Sequence, residues 1–481
     1  PKQFDRNLVV IGAGSGGLVS AYIAAAVKAD VSLIEKHAMG GDCLNTGCVP
    51  SKALIRSARL AAEVRKAPEL GFSHADAQVD FAAVMERVQR VIKQIEPHDS
   101  VERYTGLGVD VITGEARITS PWHVEVNGRS ISTRNIIIAA GARPFVPDLP
   151  GLKDMPIVTS DTVWNLREQP RRLLMLGGGP IGCELALAFQ QLGSQVIQVE
   201  RGARLLPRED ADASELVMGS LRSAGVDLRL RHQAETFELR DGVPAVRCRS
   251  LDDDSTVDIE FDCVLVALGR VANTSGYGIE TLDLTLRDNG TLETNEYLAT
   301  RFPNVFAVGD VTGPYQFTHA ASHQAWYAAV NALFGTFRRF KADYRVLPHC
   351  TFTDPEVARV GLSETEAQAQ SIDYEVTRYG IDDLDRAIAD ETAEGFVKVL
   401  TVPGRDRILG VTIVGAHASE LIAEYVLAMK YNLGLNKILG TVHSYPTLSE
   451  ANKYAAGEWK RAHQPERLLQ WVARFHAWRR G

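Results

Sequence analysis

A strand, a glycine turn, a helix and a second strand occur in that order twice in this chain, and nothing else limits its fold so strongly. Asn7 to Lys36 reads NLVVI, GAGSGG, LVSAYIAAAV and ADVSLIEK; Arg172 to Glu200 repeats the order as RLLML, GGGPIG, CELALAFQQL and GSQVIQVE. This is the grammar of a βαβ nucleotide-binding unit. In Gly12-x-Gly14-x-x-Gly17 and Gly177-x-Gly179-x-x-Gly182 the first glycine makes a tight turn and the second lets backbone approach a pyrophosphate. The third lets helix pack closely on strand, and the helix start offers unpaired N–H groups to the anion. Such turns also serve packing alone, but each here follows a strand, opens a helix and is followed by an acid, Glu35 or Glu200, at the end of the next strand. Two dinucleotide sites are expected, each on a parallel α/β sheet.

The acids suit ribose hydroxyls. Glu200 favours NAD(H), because a carboxylate repels a 2′-phosphate. Arg201 and Arg204 follow directly and suit that phosphate, so NADH and NADPH both stay open; a solvated turn is their other reading. Lys36, beside Glu35, and Gly41 join the first candidate set.

Between the first unit and the second lies GGDCLNTGCVPSK, Gly40 to Lys52. Cys43 and Cys48 can bridge if the chain turns into a helix between them, and a helix start with a cation nearby lowers a thiol's pKa. Lys52, four residues past Cys48, shares its helix face. Six cysteines in 481 residues do not make a secreted disulfide scaffold. Cys183, Cys248, Cys263 and Cys350 are scattered singly and read as small buried hydrophobes. A net charge of −8 gives no footprint for nucleic acid. No apolar run is long enough to span a bilayer, and no signal-peptide pattern precedes the first strand, so a cytoplasmic protein is expected.

The GG-x-C-x4-C-V-P-S-K stretch and the two fingerprints resemble the FAD-dependent pyridine nucleotide-disulfide oxidoreductases, the family of dihydrolipoamide dehydrogenase, glutathione reductase and mercuric reductase. The resemblance covers nearly the whole chain. It implies an α/β fold with two Rossmann-like domains, one for FAD and one for NAD(P), plus a C-terminal α+β dimerisation domain. The expected division is an FAD-binding domain at 1–150 and 273–344, an NAD(P)-binding domain at 151–272, a dimerisation domain at 345–462 and a tail at 463–481. By the same likeness Cys48 is the thiol against the flavin and Cys43 the outer thiol that attacks substrate. Lys52 resembles the lysine at the flavin edge, and Glu184 its ion-pair partner near the nicotinamide. Ala140-Gly141 and Gly309-Asp310 match turns that touch FAD. Gly269 and Arg270, in ALGRxxN ending at Asn273, match the exit from the nicotinamide domain. Relatives are homodimers in which each active site is completed across the interface, and that is expected here, with a small-molecule or metal-ion acceptor.

Two departures stand out. The disulfide reductases place a histidine before a proline, paired with a glutamate five residues on. Here the stretch is His443-Ser444-Tyr445-Pro446, with Glu450 following. A phenol of pKa about 10 is a poor base at neutral pH, which disfavours dihydrolipoamide or glutathione chemistry. His443, on the same side of an extended segment, is a candidate substitute, and a histidine held in the dimer interface is the blander reading. Mercuric reductases have a tyrosine at that place, but this sequence ends without their C-terminal cysteine pair. The expected activity is therefore mercuric-reductase-like, on a metal ion or a disulfide. A dihydrolipoamide dehydrogenase-like enzyme with an atypical acid/base and a quinone reductase that does not need the cysteines are the alternatives. Finally, Leu468, Trp471, Val472, Phe475 and Trp478 recur at helical spacing among arginines. This amphipathic basic helix is expected to pack on its own protein, with membrane-surface contact as the second reading.

Overall fold

The computed structural model describes residues 3–481, which form two compact units: one of residues up to Ala203 together with Ala224–Asp343, the other of Arg204–Ser223 together with Tyr344–Gly481. Among the described residues no helix is long and apolar enough to cross a membrane.

The first unit holds two five-stranded parallel sheets. In one the order is Val305–Ala307, Ile136–Ile138, Leu8–Ile11, Val31–Glu35, Asp110–Thr113. The first three of these strands are buried end to end, as continuous apolar runs are when helices or further layers cover both faces of a parallel sheet. In the other the order is Asp227–Leu230, Gln195–Glu200, Arg172–Leu176, Cys263–Val266, Ile157–Thr159. In each sheet the strand feeding a glycine turn lies between its sequence successor and a much later strand. That is the switch point at which open α/β sheets bind ligands. Between the two βαβ units the chain forms the helix Cys48–Lys66 and a second helix beside it. That second helix, Phe81–Ile95, gives way to a turn over Glu96–Asp99, and a further helix follows at Val101–Gly106, because Pro97 cannot donate to the helical ladder.

The second unit is a five-stranded antiparallel sheet, ordered His349–Thr351, Glu356–Gly361, Ile408–Gly415, Phe396–Thr401, Glu375–Gly380. The helices Ala418–Lys430 and Glu450–Ala462 pack their buried faces, Tyr425 and Trp459 among them, on its core of Val397, Val399, Val411 and Ile413. Arg204–Ser223 joins this unit through ions. Lys398, 3% exposed, lies 2.9 Å from each of Asp210, Asp212 and Glu364. Arg359, 4% exposed, pairs with Glu209 and Glu366, and His349 with the other oxygen of Glu209. Five carboxylates hold Lys398 and Arg359 without a buried charge left alone, the condition under which such burial is tolerated.

The C-terminal segment does form a helix, Glu466–Arg480, but none of its residues is buried. Within the single chain its apolar stripe faces outward.

Candidate active site

The first fingerprint opens directly after Ile11. Gly12 has φ +98, and a Cβ there would meet the carbonyl oxygen of Ala139 at 2.3 Å; one on Gly17 would meet that of Gly12 at 1.7 Å. Only glycine lets this helix lie so near its strand. Glu35, ending Val31–Glu35, accepts hydrogen bonds from the backbone N–H of Ala13 at 2.6 Å and of His37 at 2.8 Å. Lys36 is exposed beside it. The second fingerprint repeats the geometry residue for residue. Gly177 has φ +111, with a Cβ 2.3 Å from the oxygen of Ala267, and Glu200 accepts from Gly178 at 2.7 Å and Gly202 at 2.6 Å. Arg201 is exposed, whereas Arg204 donates to the carbonyls of Pro207 and Glu209.

Cys43 lies in the short helix Gly41–Asn45 and Cys48 opens the helix Cys48–Lys66. Gly47 makes the corner: a Cβ on it would sit 2.9 Å from the carbonyl oxygen of Asp42 and 3.6 Å from the Cα of Cys43. Gly41, at φ +58, lies so close to the first fingerprint that its Cβ would meet the Cα of Gly14 at 2.6 Å. The N–H of Gly40 donates to Ala13 at 2.9 Å. The cysteine segment is thus fastened to the nucleotide turn by backbone alone.

Both cysteines are thiols, hydrogen-bonded to each other. The Cys43 thiol stabilises a thiolate on Cys48. The hydroxyl of Thr318, 3.3 Å from Cys48 Sγ, and the charge of Lys52 add to this, and together they outweigh burial to lower Cys48 to about 6. Cys43 is pushed the other way by the same bond and by burial. One proton is therefore held on Cys43 while Cys48 gives its own up. Lys52 Nζ lies 2.8 Å from Glu184 Oε2 and 3.3 Å from Ser51 Oγ. Glu184, 6% exposed, stands two residues after Gly182 on the helix Pro180–Leu192, so this pair spans the dithiol helix and the second fingerprint helix.

Asp310 follows the strand Val305–Ala307, and burial raises its carboxyl to about 6 against the pull of Arg270. Arg270 bonds Asp42 and the carbonyl of Ala142, and its Nε lies 3.6 Å from Asp310. Arg270–Ala272 pairs with Ala142–Pro144, and Asn273 clasps Ala140 and Gly141 through its side chain and its N–H, each at 2.9 Å. The GRxxN motif and the Ala140-Gly141 turn are thus two sides of one joint. Gly309 N–H donates to the buried Gln324 at 2.6 Å.

In the second unit, Tyr445 is 68% exposed and its hydroxyl donates to Asp385 at 3.0 Å, which raises its pKa further. Glu450 is buried and bonds Tyr454 and the N–H of Thr447 instead. Both ring nitrogens of His443 are engaged, by Thr441 and by Glu424 at 2.9 Å. Among the described residues no group of three or more His, Cys, Asp or Glu is gathered as a metal site.

Sequence reasoning overlooked Thr318, Trp164 and Asp161. Trp164, buried, donates its indole N–H to Thr46 at 2.8 Å and to Ser160 at 2.7 Å, bracing the turn between the cysteines. Asp161 lies 3.9 Å from Arg270.

Two glycine cradles and a neighbouring dithiol with one activated sulfur define a nucleotide-dependent redox protein. The chain matches the pyridine nucleotide-disulphide oxidoreductase family over residues 6–325 and that family's dimerisation domain over residues 347–456. It belongs to that family: an NAD(P)H-dependent flavoprotein disulfide oxidoreductase that uses FAD, with a dimerisation domain that supports a homodimer. A dihydrolipoyl dehydrogenase of Chlamydia trachomatis is 36% identical over 92% of this chain and 94% of its own. A mercuric reductase of Staphylococcus aureus is 31% identical, over 94% of this chain and 82% of its own. Among solved structures, the Cu(II) complex of RclA, an HOCl-induced flavoprotein disulfide reductase of Escherichia coli, superposes with a TM-score of 0.83 at 26% identity, covering 95% of this chain and 99% of that one. The cradle tests the fit of FAD: at Gly12, Gly17 and Gly41 a side chain would collide with backbone, and Asp310, its side chain 20% exposed, offers carboxylate oxygens of the kind that accept from sugar-alcohol hydroxyls. The residues suit the group.

Proposed function

We propose that electrons taken from NAD(P)H leave this enzyme through Cys43 and Cys48 to a soft metal ion, with small disulfides as the second class of acceptor. The observation that carries this is the shared proton of the pair: one thiolate at Cys48, one thiol at Cys43. FAD, when bound, supplies the two-electron relay between nicotinamide and sulfur. Gly12, Gly14, Gly17, Gly41, Glu35, Ala140, Gly141, Gly309, Asp310 and Arg270 hold it, and Gly177, Gly179, Gly182, Glu200 and Gly269 hold the nicotinamide. NADH is favoured, because Glu200 repels a 2′-phosphate and Arg204 is spent on carbonyls. Lys52, held by Glu184, keeps positive charge beside Cys48 and stabilises its thiolate. Cys43 is the outer thiol that meets the acceptor, in a site completed by the dimerisation domain of a second copy.

The metal ion is preferred for a reason of proton economy. Cleaving a disulfide requires protonating the departing thiolate, which calls for a general acid near neutrality. Tyr445, bonded to Asp385, titrates too high for that, and His443 has no free nitrogen. A metal ion has no leaving thiolate that must be protonated. Two electrons leave as the S–S bond forms between the Cys48 thiolate and Cys43, reducing one divalent ion to the metal or two cupric ions to cuprous, and the single Cys43 proton goes to water. The similarity to a mercuric reductase and to a protein solved with Cu(II) supports the same class.

The test is steady-state oxidation of NADH with mercuric ion, cupric ion, lipoamide, glutathione disulfide and quinones, for the unaltered protein and Cys48→Ser. Metal-ion turnover lost in Cys48→Ser supports the proposal. Efficient lipoamide turnover would overturn the acceptor assignment, and quinone turnover undiminished by the substitution would remove the cysteines from the reaction.

A further inference from the structure

The helix Glu466–Arg480 has no role in the chemistry above, and its composition is unlike a packed helix. Leu468, Trp471, Val472, Phe475 and Trp478 fall at i, i+3, i+4, i+7 and i+10, a single stripe. That stripe is open: Leu468 is 56% exposed, Trp471 65%, Phe475 42% and Trp478 78%. At 100° per residue, Arg467 and Arg474 border it on one side and His476 and Arg480 on the other. Arg479 falls within it, its guanidinium 5.8 Å from the Phe475 ring centroid. The helix carries four arginines against one acid, Glu466, on a chain whose net charge is −8.

We infer that this helix lies on the surface of an anionic bilayer, its tryptophans and leucine among the acyl-chain ends and its arginines on the lipid phosphates. Charge decides among the occupants. A second copy of the helix, set against the first, would bring four arginines against four, whereas anionic headgroups supply the countercharge along both borders of the stripe. Long arginine side chains reach up from such a depth to the headgroups, and tryptophan favours the boundary of apolar and wet regions. The helix is too short and too charged to cross, so it rests on the surface.

The test uses the full-length FAD-loaded enzyme. It is sedimented with vesicles of phosphatidylserine and phosphatidylcholine, and with phosphatidylcholine alone; its mass in solution is measured by light scattering in parallel. At least tenfold more enzyme is expected with the anionic vesicles, lost in high salt. The same loss is expected in Trp471→Ser/Trp478→Ser and in Arg467→Gln/Arg474→Gln/Arg480→Gln, with flavin content unchanged in each as the check on folding. Equal partition to both vesicle types, or none, overturns the inference. So does an assembly larger than a dimer that both sets of substitutions dissolve, which would assign the stripe to a second copy.

Discussion

Lys52 Nζ and Glu184 Oε2 stand 2.8 Å apart, joining the helix that begins with Cys48 to the helix that begins just after the second glycine turn. Glu184 is buried and Lys52 half-exposed, so the lysine is what makes the carboxylate tolerable there. Lys52→Met is expected to lower stability by about 2 kcal/mol, since a buried charge stripped of its partner is heavily penalised. Lys52→Met/Glu184→Leu is expected to regain most of it. Denaturant unfolding of the four proteins in the cycle measures both; a double variant no better than Lys52→Met would remove the pair as the cause.

The reduced enzyme is expected to show one thiolate, titrating near pH 6. Cys48 lies below its ordinary value of 9.0, so the thiolate is present above pH 6 and disappears as the pH falls through it, while Cys43 stays protonated. Thiolate absorbance in the ultraviolet, followed against pH, reads this directly. Thr318→Val removes a hydrogen bond to a charged sulfur, worth about 1.5–3 kcal/mol, and is expected to raise the midpoint by one to two pH units, about 1.4 kcal/mol each. Thr318→Ser is expected to keep it. An unmoved midpoint in the valine variant would mean that the hydroxyl does not donate to Cys48.

Gly41→Ala places a Cβ 2.6 Å from the Cα of Gly14 at a φ of +58. The cysteine segment and the nucleotide turn must part to admit it, so the purified protein is expected to carry several-fold less FAD per chain, read from the ratio of flavin to protein absorbance. Gly71→Ala, where nothing lies within 4 Å, is the control for left-handed backbone alone.

Asp310→Asn is expected to act in opposite directions on folding and on binding. Burial raises the native carboxyl to about 6, above its unfolded value of about 3.8. Stability is therefore fully present below about pH 3.8 and declines as the pH rises to 6. In protein stripped of flavin at pH 7, the substitution is expected to add about 2 kcal/mol, an amount lessened by the loss of attraction to Arg270. That gain is expected to vanish near pH 4, while FAD affinity falls at every pH. Thermal unfolding across pH and flavin titration separate the two effects.

How much was legible beforehand follows from what sets each feature. Gly12, Gly17, Gly177 and Gly182 were readable because backbone collision leaves glycine no substitute at those spacings. The dithiol segment was readable because Cys43, Cys48 and Lys52 are neighbours in sequence. Thr318 and Trp164 were not, since they touch the cysteine segment from 270 and 118 residues away, and a threonine or tryptophan carries no local pattern that announces such a contact. Glu450 sits in the expected place, yet its oxygens go to Tyr454 and Thr447. Spacing located the residue but not its bonds. For the C-terminal helix, periodicity located the stripe, but a pattern of apolar positions says that a face wants cover and not what covers it.

The stretch Arg204–Ser223 departs from the nucleotide unit and returns to it, and while away it surrenders Glu209, Asp210 and Asp212 to Arg359 and Lys398. A gene cut at residue 344 would therefore not liberate a self-sufficient nucleotide-binding half. It would strand three acids on one fragment and two buried cations on the other, so the two parts must be made, folded and inherited together.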